Sequence, residues 1–220
     1  MIDIIPSILV SSKQEFLTQI TALDHAVTHL QLDIADGHFV PNTTWSEPEI
    51  VHHIDDYTFE LHLMDESPLE TITLWKDISS VTRFIIHIES VEDIAAAITH
   101  VQMYGREVFL ALNPNTPLST IHHYIDLIDG VLFMGVTPGF QGQKLIPEVL
   151  RKIAQCRTTY PELYTELDGG VHEDTLHAII ESGVHAICPG SLVFKREHSP
   201  ADQIAYIKNQ LEKLDNQKTR

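Results

Sequence analysis

Residues 29–41 read HLQLDIADGHFVP, and the fold follows from how that stretch is parsed. Leu30, Leu32 and Ile34 alternate with Gln31, Asp33 and Ala35, which is the two-residue period of a strand. Asp36-Gly37 then breaks the run with a turn signal. Gln31 and Asp33 therefore face one way, at the carboxyl end of a short strand. In a parallel α/β protein that end is where reactive side chains are presented.

The same unit recurs on both sides. Strand-like runs are DIIPSIL, HLQLDIA, TFELHLM, TRFIIHI, EVFLALN, GVLFMGV, LYTELD and AICPG. Between them lie amphipathic stretches such as SKQEFLTQITALDHAV, SVEDIAAAITHVQMYG, TPLSTIHHYIDLID and QKLIPEVLRKIAQCRTTY. Ser90 is the expected N-cap of the VEDIAAAI helix, with Asp93 three residues on. Pro117 and Pro147 suit first helical turns, and Gly105 and Gly183 suit helix ends. A single TIM-barrel domain of the (β/α)8 type over residues 1–220 is the expected fold, with the tail fraying from about residue 212. A doubly wound sheet would show a Gly-rich turn after the first strand, where this chain has SILVSSK.

Composition narrows the function classes. Hydrophobic residues are 43% and charged residues 20% of the 220 residues, ordinary for a globular protein. No apolar run reaches the roughly 18 residues of a membrane span, and MIDIIPSIL lacks the basic start of a secretory signal. The formal net charge of −17 argues against a nucleic-acid partner, but not against a small phosphate ester held by local N–H groups. Cys156 and Cys188 have no metal-site spacing and read as reduced thiols, so a cytoplasmic enzyme without membrane attachment is expected. Barrel surfaces of this kind serve monomers and homo-oligomers alike.

Candidate site residues fall at strand ends. They are Ser7, Gln31 and Asp33, His62 and Met64, His87 and Glu89, Asn113, Met134, Asp168, Gly190 and Ser191. Singly each has a structural explanation, as a turn residue, a satisfied core histidine or core filler. Convergence of Asp33, His62 and Asp168 from three strands on one axial region is what argues for chemistry. Inverting a carbon beside a carbonyl needs a base on one face and an acid on the other, and two carboxyl groups across a barrel mouth suit that task. A divalent metal between them would stabilise the enediolate oxygens. TPGFQGQ, DGG and PGS are Gly-containing loops at the usual phosphate position of this fold, with no Lys or Arg until Lys144, so a phosphate would rest on backbone N–H groups.

Taken together, IIPSIL, DGHFVPN, ELHLM, IIHIES, ALNPNTPL, VLFMGVTPGFQGQ, DGGV and PGS resemble the ribulose-phosphate 3-epimerase family nearly end to end. The resemblance implies acid/base roles for Asp33 and Asp168 and a metal held by Asp33, His62 and Asp168. It implies substrate contacts at Ser7, His62, Met64 and Met134, and a phosphate grip at Gly139, Phe140, Gln141, Gly142, Gly169, Gly170, Gly190 and Ser191. It further implies a sugar-phosphate substrate and one divalent cofactor drawn from Zn, Fe, Mn, Co and Mg. The chain departs from the family pattern at Gln31, where a ligand histidine is usual and the metal would be weakly held or absent. It departs again at Ala35 for a methionine, at Gln141 for a glycine and at Asp65 for an apolar residue, the last adding negative charge near the mouth. His38 is expected to cap its loop and not to replace the missing ligand. Three readings follow: a pentulose-phosphate epimerase, an epimerase of a longer ketose phosphate such as allulose 6-phosphate in the space left by Ala35, and a metal-free barrel that only binds.

Overall fold

The computed structural model describes residues 2–195 and 197–218, with side chains described to residue 214. The first strand comes in two pieces, β1 (Asp3–Ile4) and β2 (Ser7–Ile8), broken by Ile5-Pro6. Proline has no N–H to give to a ladder, and the break lets the strand serve two neighbours. Asp3, Ile5 and Ser7 N–H groups donate to the carbonyls of His185, Ile187 and Pro189, at 2.8, 2.9 and 3.4 Å. On the other side the Gln31 N–H donates to the Pro6 carbonyl at 3.0 Å.

Those bonds close a ring. β3 (His29–Ala35), β4 (Thr58–Met64), β5 (Val81–His87), β6 (Glu107–Leu112), β7 (Gly130–Met134), β8 (Tyr164–Asp168) and β9 (Ala186–Cys188) follow in order, each parallel to the last. β2 pairs with β3 and β1 with β9, so the expected (β/α)8 barrel is present. The register sets Asp33 beside His62 and Met134 beside Asp168.

Side-chain alternation builds two layers. Leu32, Leu61, Phe84, Leu110, Phe133 and Ile187 point outward into the main core against the helices, all without exposure. Each such side chain contributes about 1.5–3 kcal/mol of burial. Ile85, Phe109, Ala111, Leu132 and Ala186 fill the barrel interior. The interior also holds Gln31, Glu60, His62, His87 and Glu166 with no exposure. Buried polar groups at that density need partners, and most of their atoms find them in two hydrogen-bonded networks, one around Asp33 and Asp168 and one around Arg83.

The outer ring comprises α1 (Lys13–Leu23), α2 (Pro48–Val51), α3 (Pro68–Trp75), α4 (Ile94–Gln102), a 3-10 segment (Leu118–Leu127), α5 (Pro147–Thr159), α6 (Leu176–Glu181), α7 (Ser191–Phe194) and α8 (Pro200–Lys218). Two boundaries differ from the sequence reading. The N-cap of α4 is Asp93, whose carboxylate accepts from the Ala96 N–H at 3.0 Å. Ser90 instead donates its hydroxyl back to the His87 carbonyl at 2.9 Å, which extends the β5 loop by a turn. The segment after Pro117 is 3-10 and not α, starting with a Thr120 N–H to Pro117 carbonyl bond of 3.2 Å. Its Thr, His, Tyr and Asp residues are weak helix formers. α8 continues as helix through Lys218, past the point where fraying was expected, and residues 219–220 lie outside the described ones.

Candidate active site at the carboxyl ends of the strands

One cavity opens at the carboxyl ends of the strands. It is lined by Ser7, Asp33, Met64, Met134, Gly139, Phe140, Gln141, Gly142, Asp168, Gly169, Gly170, Gly190 and Ser191, all of them named from sequence. His62 and Gln31 do not line it. Both lie beneath its floor with no exposure, touching the two aspartates from below. Leu9, Val136, Pro138, Gln143, Val171 and Cys188 also line the cavity and were not singled out in the sequence. Leu9, Val136 and Cys188 sit two residues from Ser7, Met134 and Gly190, so the strand period was the signal that could have found them.

The floor is a compact polar cluster. His62 Nδ1 is 2.8 Å from Asp33 Oδ1 and 3.4 Å from Asp168 Oδ2. Its Nε2 meets His87 Nε2 at 2.9 Å, and His87 Nδ1 meets Glu89 Oε2 at 3.3 Å. Glu89 in turn accepts from the Asn113 N–H at 3.0 Å and from the Thr116 hydroxyl. A chain of polar contacts thus runs from Asp33 to the half-exposed rim, fixing the ring of His62 from behind. Lys152 secures the rim by donating to the carbonyls of Asn113, Pro114 and Thr116 at 3.1, 2.7 and 2.7 Å.

Charge is graded along this chain. Burial pushes Asp168 up to about 7, and the neighbouring Asp33 charge adds to it. Burial alone would push His62 down, but the hydrogen bond and charge of Asp33, with Asp168 beyond, hold its pKa above the usual histidine value. His87 is pushed down to about 4 by burial, against the pull of the Glu89 hydrogen bond. Burial would raise Glu89, but bonds from His87, Thr116 and Asn113 keep it below the ordinary carboxylate value. A carboxyl group raised toward neutrality, as Asp168 is, suits proton transfer.

Donor chemistry at the floor fits a divalent cation in three of its four positions. Asp33, His62 and Asp168 each offer a ligand atom, all within 4.8 Å of one another. The inward His62 nitrogen with its second nitrogen held by His87 is the usual arrangement of a metal-ligating histidine. Gln31 is the exception. Its Nε2 donates to Asp33 Oδ1 at 2.9 Å and to Asp168 Oδ2 at 3.0 Å, while its Oε1 is buried without a partner. Turning the amide would exchange these atoms and aim an oxygen at the cation. An oxygen-rich set of this kind is harder than a two-histidine site.

The other departures resolve locally. Ala35 packs with Val40 and Met64, with Leu9 and Phe39 alongside, and does not line the cavity, so the space of a larger side chain is taken up by the DGHFVPN loop itself. Asp65 does not add charge to the mouth. It is buried and accepts from the Ser67 N–H and the Thr71 hydroxyl at the start of α3. His38 is exposed, and its N–H donates to Asp36 Oδ1 at 2.8 Å as part of the loop turn.

The Gly-rich loops pack closely where the cavity narrows. Gly170 has φ +73°, and a Cβ there would lie 2.5 Å from the Leu145 Cα, so the DGG turn admits no side chain. Asn42 donates to the Gly139 carbonyl at 2.9 Å, tying the DGHFVPN loop to TPGFQGQ. No Lys or Arg is among the residues lining the cavity.

Residues 3–194 match the model of the ribulose-phosphate 3 epimerase family. The chain is 34% identical over 202 residues to ribulose-phosphate 3-epimerase of Bacillus subtilis, covering 88% of this chain and 93% of that enzyme. It is 33% identical over 194 residues to that of Schizosaccharomyces pombe, covering 86% and 84%. Among solved structures, KGPDC from Streptococcus mutans superposes with a TM-score of 0.73 over 97% of this chain and 99% of that one. At 12% identity that likeness speaks for the barrel alone.

Proposed function

The chain belongs to the ribulose-phosphate 3-epimerase family, and we propose that it interconverts D-ribulose 5-phosphate and D-xylulose 5-phosphate by inverting C3 with Asp33 and Asp168. As an epimerase of the isomerase class it needs no redox partner, only proton transfer. The observation that carries the reading is the meeting of Asp33 and Asp168 over one amide nitrogen, at 2.9 and 3.0 Å.

In the proposed reaction one aspartate takes the C3 proton and leaves an enediolate across C2 and C3. The other returns a proton to C3 from the opposite face. The first ends protonated and the second ionised, and exchange with solvent resets them. Met64 and Met134 wall the reacting carbons, and Ser7 contacts the substrate. His62 holds Asp33 in place, with its own ring set by His87 and Glu89. Backbone N–H groups of Gly139, Phe140, Gln141, Gly142, Gly169, Gly170, Gly190 and Ser191 grip the phosphate.

A divalent cation, when bound by Asp33, His62 and Asp168 with Gln31 turned, supplies positive charge against the developing oxyanion. The oxygen-rich set narrows the preference for Zn2+ over Mn2+, Mg2+ or Fe2+. Gln31→His is accordingly expected to raise zinc affinity by at least about tenfold. A competition titration against a chromogenic chelator measures it, and unchanged affinity would place residue 31 away from the metal.

The test of the function is deuterium incorporation at C3 of ribulose 5-phosphate in D2O. Exchange together with formation of xylulose 5-phosphate is the expected result. No exchange by folded protein supplied with divalent metals would remove the pentulose reading. The packing of Ala35 offers nothing in favour of a longer ketose phosphate.

A further inference from the structure

We propose that the side chain of Gln141 is a neutral phosphate-binding arm, donating an amide N–H to the phosphate of the substrate in a cavity lined by no cationic side chain among the described residues. The inference deepens the sugar-phosphate reading above and rests on it. There only the backbone of Gln141 was engaged.

The arm starts from an anchored base. Gln143 Nε2 donates to the Thr137 and Phe140 carbonyls at 2.7 and 2.9 Å, which pins the loop on both sides of Gln141. From there Gln141 Nε2 crosses the mouth and donates to the Ser7 carbonyl at 3.1 Å. The carbonyl acceptor fixes the amide, since its oxygen would be repelled by that of Ser7. A Cβ built on Gly190 would stand 2.2 Å from Gln141 Nε2 and 2.8 Å from Ser7 Oγ. The amide therefore lies directly on the PGS turn, and only glycine at 190 lets it reach there.

Its second N–H has no acceptor among the described residues. The amide nitrogen stands against the Gly190-Ser191 turn, on a residue that lines the cavity where the phosphate is to be held. Asp33 and Asp168 in the same cavity oppose a dianion. A neutral double donor offsets that opposition without forming an ion pair that would compete with the metal for the carboxylates. A glycine at 141 supplies no such group.

Inorganic phosphate is the probe, titrated by calorimetry into the wild-type protein, Gln141→Leu and Gln141→Glu, alongside steady-state kinetics on ribulose 5-phosphate. Gln141 lies outside the left-handed backbone region, so both variants fit the loop. Loss of a hydrogen bond to a charged group predicts phosphate binding about tenfold weaker in Gln141→Leu and weaker again in Gln141→Glu. KM should rise by the same factor, with kcat within about twofold of wild type. Unchanged or tighter phosphate binding in Gln141→Leu overturns the proposal and makes the side chain a plug. Weakened phosphate binding in the variants of a protein without turnover supports the arm and overturns the epimerase reading instead.

Discussion

Asp33→Asn is expected to lower epimerisation by roughly 10³-fold, within the range set by removing one positioned acid/base group, while the barrel stays folded. Asparagine keeps an oxygen to accept from Gln31, now 2.9 Å away, so the floor of the cavity loses a charge and not its shape. The sharper signature is one-sided. With Asp168 intact, one epimer should still lose its C3 proton to D2O, without inversion, and the other should not. Asp168→Asn should show the reverse preference. Proton NMR of each epimer incubated in D2O reads both results. Near-native turnover in Asp33→Asn, or exchange from both epimers at equal rates, would defeat the two-carboxylate mechanism. The positions of the two groups make this asymmetry reasonable, because they come from β3 and β8, separated by β9 and the first strand.

Much of this was legible because one rule, the two-residue period of a strand, governs both fold and site. Gln31 and Asp33 had to share a face, as did His62 and Met64, and parallel register did the rest. Where two chemically adequate side chains compete, the period says nothing. Ser90 and Asp93 both suit an N-cap, and the choice between them was made by the carbonyl of His87. Asp65 read as charge at the mouth because its partners, Ser67 and Thr71, lie along α3. The orphaned oxygen of Gln31 was equally hidden, since it depends on which way an amide faces when two carboxylates compete for its nitrogen. The network at the other end of the barrel went unread for a further reason. Glu60 and Glu166 lie two residues before His62 and Asp168 and so face inward by the same rule, but their cation, Arg83, comes from a strand that reads as apolar.

That cation carries the largest stability prediction. Arg83 donates to Glu60 Oε2 at 2.7 Å, Glu166 Oε1 at 2.5 Å and Glu107 Oε2 at 2.8 Å, with its guanidinium 3.9 Å from the Phe109 ring centre. Glu60 and Glu166 have no exposure, and each keeps one oxygen without a partner. Burial, with the Glu60 charge beside it, already holds Glu166 well above the usual carboxylate pKa, and Arg83 is what opposes this. Arg83→Met leaves two buried carboxyl groups with only the His29 ring, 3.1 Å from Glu60 Oε2, beside them, and should cost about 3–5 kcal/mol of unfolding free energy at neutral pH. The sign of its pH dependence follows from linkage. Carboxyl groups with raised folded pKa bind more protons folded than unfolded, so stability falls as pH rises above the unfolded value of about 4.3. The penalty should therefore be smallest in mild acid and grow toward neutrality, and adding Glu60→Gln and Glu166→Gln should recover most of it. Urea unfolding at a series of pH values checks each point. A loss below about 1 kcal/mol at neutral pH, or no recovery in the triple variant, would mean that the network is already neutralised by other means. Because Arg83 lies toward the end of the barrel opposite the mouth and bonds neither Asp33 nor Asp168, the folded fraction of Arg83→Met should keep far more turnover than Asp33→Asn.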